Sequence, residues 1–287
     1  FIFLIFLLVF FYNLFNLKIL LNFVYADFIL SALVPILFII SISHFKMKYF
    51  YIGAILFVLY LSKSNMFFLS LGYSMIIFFT DKKIIPAIIV LSAVIIWGSF
   101  GYIKTGKFPI GASLMSSNSH ALALSFNKNF NKIYPHITVD ILNNDIPKPQ
   151  NPNNEWDIYN FYKNLNLEYA KNNKKRIFSD FLFKIKVIFF NYFEDGQQVK
   201  NTSEIKKNIV FSVLINKILL ITSLVISAYF FTKNIFQKKI DRVELFYLTI
   251  FILSLPPFIV GWALSRHLVF LFITSQLYLL IKILNKK

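Results

Sequence analysis

The chain has no cysteine. That excludes disulfides, thiolate catalysis and cysteine-ligated metals. Charge is scarce too, at 15% of 287 residues, where soluble domains carry about a quarter. Acidic residues are the rarer part of it, 13 against 30 lysines and arginines, for a net charge of +17. An excess of that size can mark a nucleic-acid binder. Here much of it sits in short stretches beside apolar runs, where Lys and Arg set membrane topology, so nucleic acid is not expected as a partner. Internal repeats and low-complexity tracts are absent as well. What is present is apolar: 57% of residues are hydrophobic and 19% aromatic, and the mean hydropathy is +0.64.

A span needs about 20 apolar residues, fewer when its flanks snorkel. Phe1 to Tyr12 reads as the end of one span, and residues 13–26 as a mixed, interfacial stretch. Asp27 heads the next span and His44, Lys46 and Lys48 stand at its foot. An apolar hairpin follows, Tyr49 to Leu61 and Met66 to Thr80, broken at Ser62-Lys63-Ser64-Asn65. Asp81-Lys82-Lys83 precedes a span from Ile84 to Phe100. Further spans are expected over Ile209 to Thr232, Val243 to Leu264 with a kink at Pro256-Pro257, and Leu268 to Ile281. Placing the basic clusters at residues 44–48, 82–83, 233–242 and 282–287 in the cytoplasm makes the alternation close. The turn at Lys63, the turn at Arg266 and the long polar segment then fall outside. The expected fold is all-α: a polytopic transmembrane bundle of about seven spans, with helices in 1–100 and 209–287 and a mainly helical extracytoplasmic loop domain in 101–208.

Within that loop, residues 143–152 form a Pro/Asn connector. A helix is predicted next, with Asn154 as cap, Glu155 and Asp157 at its positive end, and Ile158, Tyr162, Leu165 and Tyr169 at helical spacing. A second helix, Ile177 to Phe193, carries Phe178, Phe181, Ile185, Ile188 and Tyr192 on one side and suits the headgroup layer. Glu194 to Lys207 reads as a polar link.

Charges beside a bilayer ask for a functional reading. Asp27 is either an interfacial helix cap or a contact to a sugar, metal or acceptor. Lys63, in an outer turn, either snorkels to lipid phosphate or holds a phosphorylated lipid substrate. Arg266 and His267 open the last span, and Arg is the better fork for phosphate oxygens. Gly106-Lys107 reads as a turn with a solvated lysine and lacks the spacing of a phosphate-binding P-loop. His120 and His136 share the loop with Asp140 and Asp145, but their spacing matches no metal motif, so no metal ligand is assigned, and a divalent ion stays an open option.

Four places, in order, resemble the C-class membrane glycosyltransferases, and more narrowly the bacterial relatives of dolichyl-phosphate-mannose–protein mannosyltransferases and of lipid A aminoarabinose transferases. Tyr25-Ala26-Asp27 resembles the family's small-residue–acid step. Leu61-Ser62-Lys63-Ser64-Asn65 is similar to its "(S/T)-(K/R)-P-(S/T)" turn without the proline. Trp97 through Gly106-Lys107-Phe108, with Ser113 and Asn118, resembles the exit into the main loop, with Phe100-Gly101 where the family has Arg-Asn. Ser265-Arg266-His267-Leu268 is similar to the step before the last span. The loop helices, Asn154-Glu155-Trp156 to Lys174-Lys175-Arg176, have the family's look.

The resemblance implies an enzyme of the bacterial inner membrane. It would move a sugar from a polyprenyl-phosphate donor to a protein, lipid or polysaccharide acceptor on the outer face. Lys63, Arg266 and His267 would hold the donor phosphate. Lys107, Asn118 and His120 would belong to the substrate loop, and Asp27 would support catalysis. The family's principal acid lies in a first outer loop, expected upstream of Phe1, where the chain begins inside an apolar run. An O-antigen-type polymerase or ligase is the competing enzyme, but several loop arginines would be expected and 101–208 holds Arg176 alone. A transporter or flippase should show charged or broken helices and inverted repeats.

Overall fold

The computed structural model describes residues 25–63, 66–110, 149–153, 155–190, 203–237, 239, 241–260 and 268–284. Every regular element among them is helical. In chain order they are α1 (Tyr25–Ile42), α2 (Lys48–Ser62), α3 (Phe67–Asp81), α4 (Ile85–Thr105), α5 (Glu155–Asn172), α6 (Lys174–Phe189), α7 (Ser203–Phe236), α8 (Arg242–Ser254), α9 (Pro256–Val260) and α10 (Val269–Leu284). Among the described residues, three stretches are long and apolar enough to cross a membrane: Ile85–Thr105, Val210–Phe236 and Arg242–Ile259. Phe28–Ile42, Lys48–Ser62, Phe67–Asp81 and Val269–Leu284 are shorter apolar helices.

Local chemistry sets the ends. The Lys48 ammonium donates to the carbonyls of Ser41 (2.9 Å) and Ser43 (3.2 Å), satisfying oxygens left over where α1 stops. Lys82 ends α3 in the left-handed region at φ 56°, its N–H reaching the Phe78 carbonyl. Pro86 sits in the first turn of α4, where its missing N–H costs no helix bond. Gly106 ends α4 at φ 72°, a conformation open to glycine without strain. The Asp241 carboxylate caps α8 by accepting the Val243 N–H at 2.8 Å. The kink expected at Pro256-Pro257 divides α8, which ends at Ser254, from α9, which starts at Pro256; Leu255 between them keeps helical dihedrals (φ −69°, ψ −43°), and the two prolines supply no N–H.

Packing joins two groups of helices. α2 lies between α1, α3 and α4, and α8 lies against α1, α3, α7 and α10. α1 also packs on α10. Phe38 meets Tyr247 at 6.1 Å between ring centres, and Tyr73 meets Phe246 at 5.6 Å. On α4 the opposite face, with Ile88, Leu91, Ile95 and Ile96, is left exposed.

Four expectations change. Tyr25 to Asp27 is already helical, so Asp27 is not the capping residue of its helix; its side chain lies outside the described residues. α4 runs to Thr105, past the expected boundary at residue 100, since nothing breaks it before Gly106. The second loop helix spans Lys174–Phe189, and its face is divided. Lys184 and Ile188 are buried while Phe178 and Ile185 are exposed, because α6 packs on α7 and α9 and takes a charged residue inward. The link before α7 is shorter than expected, since the helix begins at Ser203.

Candidate functional site

Alternating helix directions bring the chemistry to two opposite ends. At the first lie the α1–α2 turn, the end of α3 and the start of α8. The Arg242 guanidinium contacts an Asp81 oxygen at 3.0 Å, and the Tyr49 hydroxyl donates to the other Asp81 oxygen at 3.0 Å. Lys282 pairs with Glu244 and lies 3.5 Å from Asp241. The Tyr278 hydroxyl donates to Glu244 at 3.3 Å, and Glu244 is fully buried. Burial works against the charged form of Asp241. The Val243 N–H and the Lys282 ammonium favour that charged form, and the carboxyl is held below its usual value despite its burial.

The other end is built differently. Beyond Gly106 the chain folds back on α4. The Phe108 ring rests against Gly98 and Pro109 against Gly101, so closely that a Cβ on either glycine would collide with them. The Tyr60 hydroxyl, near the end of α2, donates to the Ile110 carbonyl at 2.6 Å. Lys63 follows directly and its carbonyl accepts the Met66 N–H, closing the α2–α3 turn. The second residue of α5, Trp156, is 7% exposed. Its indole N–H donates to Thr105 Oγ1 at 2.6 Å, and the Lys107 ammonium stands 5.3 Å from its ring centre. Asp157, one residue on, accepts the Asn153 N–H at 3.1 Å and anchors the helix start. Of the expected helical stripe, Tyr162 is buried and Ile158 and Leu165 pack against the core, while the Tyr169 side chain lies outside the described residues.

The Lys63 turn, the Gly106-Lys107 exit and the Trp156 helix thus share one end of the bundle. Asn118, His120, Arg266 and His267 lie outside the described residues, as do His136, Asp140 and Asp145. Among the described residues no three His, Asp or Glu side chains gather to hold a metal.

A third feature was not expected. Between α7, α8 and α10 runs a buried polar seam. Ser223 and Tyr247 hydroxyls are 2.5 Å apart, and Tyr247 is 2.8 Å from the Ser275 hydroxyl. Gln276 bonds to Asn216, whose amide also donates to the Ser212 carbonyl at 2.7 Å. Tyr247 stacks on Tyr278 at 4.4 Å. The signal was in the sequence, since Ser212, Asn216, Ser223 and Ser227 recur on one helical face. Comparison with family models, curated proteins and solved structures finds no match to this chain.

Proposed function

We propose that the chain is a multi-pass protein of the bacterial inner membrane with about seven spans, and that it transfers sugar from a polyprenyl-phosphate donor to a glycan, lipid or protein acceptor outside the cytoplasm. The end bearing Lys63 and Lys107 would be the outer one. The exposed apolar face of α4 supports placement in lipid. Basic residues gathered at the opposite end support that end as cytoplasmic.

The observation that carries the enzymatic reading is the convergence of the Lys63 turn with the Lys107 exit beside an ordered aromatic helix. A lipid-linked donor keeps its tail in the bilayer while its phosphate sits at the interface. Cations fixed at that level meet this need. The test is transfer of labelled sugar from polyprenyl-phosphate donor by membranes holding the full-length protein. Lys63→Met and Lys107→Met should each lower transfer at least tenfold. Unchanged transfer in both variants sinks the assignment.

The polar seam favours a second reading, a non-enzymatic transporter or flippase, because buried polar and ionisable groups inside a bundle mark solute paths. Solute or lipid flux in proteoliposomes without sugar transfer would select it.

A further inference from the structure

We propose that the buried seam between α7, α8 and α10 conducts protons across the membrane, from Glu244 at the cytoplasmic end to Ser212 at the outer one. The inference rests on the second reading above, in which the seam is a path, and it names the species that moves.

The seam has the reach this requires. Glu244 is the third residue of the membrane-length stretch Arg242–Ile259, and Ser212 is the third of Val210–Phe236. α7 and α8 follow one another, pack together and run in opposite directions. The two residues therefore mark opposite faces. Ser212, Asn216, Ser223, Glu244, Tyr247, Ser275, Gln276 and Tyr278 are all buried. Carboxyl-headed polar lines of this kind carry protons in membrane pumps.

The contacts tell a proton path from a solute path. Ser223, Tyr247 and Ser275 bond hydroxyl to hydroxyl at 2.5 and 2.8 Å, which leaves no opening for a solute between them. A hydroxyl both donates and accepts. Each takes a proton on a lone pair and releases its own to the next. Every O–H bond broken is matched by one formed, and no heavier atom travels. Toward the cytoplasm, Tyr278 stacks on Tyr247 and its hydroxyl reaches Glu244 Oε1. Toward the outside, Gln276 bonds to Asn216, which bonds to the Ser212 carbonyl.

Two joins are not made by direct hydrogen bonds among the described residues: Tyr278 to Tyr247, and Ser275 to the Gln276–Asn216 pair. The residues beside these joins carry buried oxygens without a hydrogen-bond partner among the described residues. They are Glu244 Oε2 at the first, and Gln276 Oε1 with Ser212 Oγ at the second. Such atoms are costly inside a bilayer. Water bonded to them satisfies each and completes the line.

The titratable groups around Glu244 leave that oxygen open. Lys282 and Tyr278 come from α10 and both use Oε1. Asp241 heads Glu244's own helix and lies by Lys282. From α3 come Asp81, held by Arg242 and Tyr49, and Tyr73, bonded to Ser41. α7 brings Lys217, buried and one residue from Asn216. α1 and α9 bring none among the described side chains.

The test uses full-length protein in liposomes that enclose a pH-sensitive dye. A potassium gradient with valinomycin makes the interior negative. The interior should acidify faster than in protein-free vesicles. Tyr247→Phe keeps the ring on Tyr278 but removes the hydroxyl between Ser223 and Ser275, and flux should fall to the protein-free level. Gln276→Leu should do the same, and it decides the case if melting in detergent shows Tyr247→Phe unfolded. Tyr102→Phe, exposed on α4, should conduct like the parent. Parent-level flux in a folded seam variant overturns the path. Proton flux absent while radiolabelled rubidium or a fluorescent phospholipid crosses overturns the proton and leaves the second reading standing. Nothing crossing overturns both.

Discussion

Ion pairs gather at one end of the bundle, while at the other the described contact of Lys107 is with a ring; rings also receive Lys48, Lys83 and Lys282 at the first end. At the α3–α8 end, cations meet carboxylates: Arg242 with Asp81, Lys282 with Glu244 and Asp241. At the α2–α4 end, the Lys107 ammonium meets an aromatic face. A lysine matched to buried carboxylates is committed to the fold, because releasing it strands charge in an apolar interior. A lysine over a ring gives up little when it leaves. What distinguishes the ends is that carboxylates tie helices together at the first, while Lys107 at the second is exposed over its ring.

The sharpest way to break this comparison is to show that both ends face the same compartment. The absence of cysteine gives a clean background. In spheroplasts, a membrane-impermeant maleimide should label Lys107→Cys fully and Lys83→Cys only after permeabilisation. Equal labelling of both refutes the opposition.

Next in size is the fastening itself. Lys282→Met leaves Glu244 fully buried without its cation, and should cost about 3–5 kcal/mol. This is read as a large drop in melting temperature in detergent. The double variant with Glu244→Gln should recover much of the loss. A single variant as stable as the parent would show that the pair does not fasten the bundle.

Acid should loosen the same end. The folded-state value of Asp241 is depressed, so its contribution is whole above the unfolded value of about 4 and is lost as pH falls through the folded value. The melting temperature should fall between about pH 5 and pH 3, and Asp241→Asn should flatten that slope. The smallest effect belongs to the other end. Tyr60→Phe removes one hydrogen bond to Ile110, worth about 1 kcal/mol. It should lower the melting temperature only slightly, and an unchanged melting temperature would show that the bond does not hold the chain after α4 against α2.

Much of this arrangement was legible beforehand where it depends on local pattern. The hairpin over α2 and α3 and the interruption at Pro256-Pro257 follow from apolar run length and missing N–H groups; α5 starts at Glu155, with its expected cap Asn154 outside the described residues. The seam was harder to read. A serine in an apolar helix can bond its own preceding turn, as Ser41 does to the Leu37 carbonyl, or a neighbouring helix, as Ser223 does. Spacing alone does not separate the two. Glu244 and Lys282 lie on helices distant in sequence, and each reads singly as a topological flank. The burial of Lys184 was hidden for a similar reason: its own helix offers an apolar stripe, and the choice of inward face was made by α7 and α9. Lys63 and Lys107 share one end because α2 and α4 run in the same direction, which the count of spans implied.

The interruption after Ser254 has a mechanical consequence. The carbonyls of Ile252 and Leu253 stand four residues before Pro256 and Pro257, and so lose the donors a continuous helix would give them. Stiffness along the helix axis is lowest there, while α8 below is fastened through Arg242 and Glu244. α9 above it touches α6, and α6 touches α5, which carries Trp156. The span is thus held by ion pairs on α8 at one end and joined on α9, through α6 and α5, to the helix that seats the indole at the other.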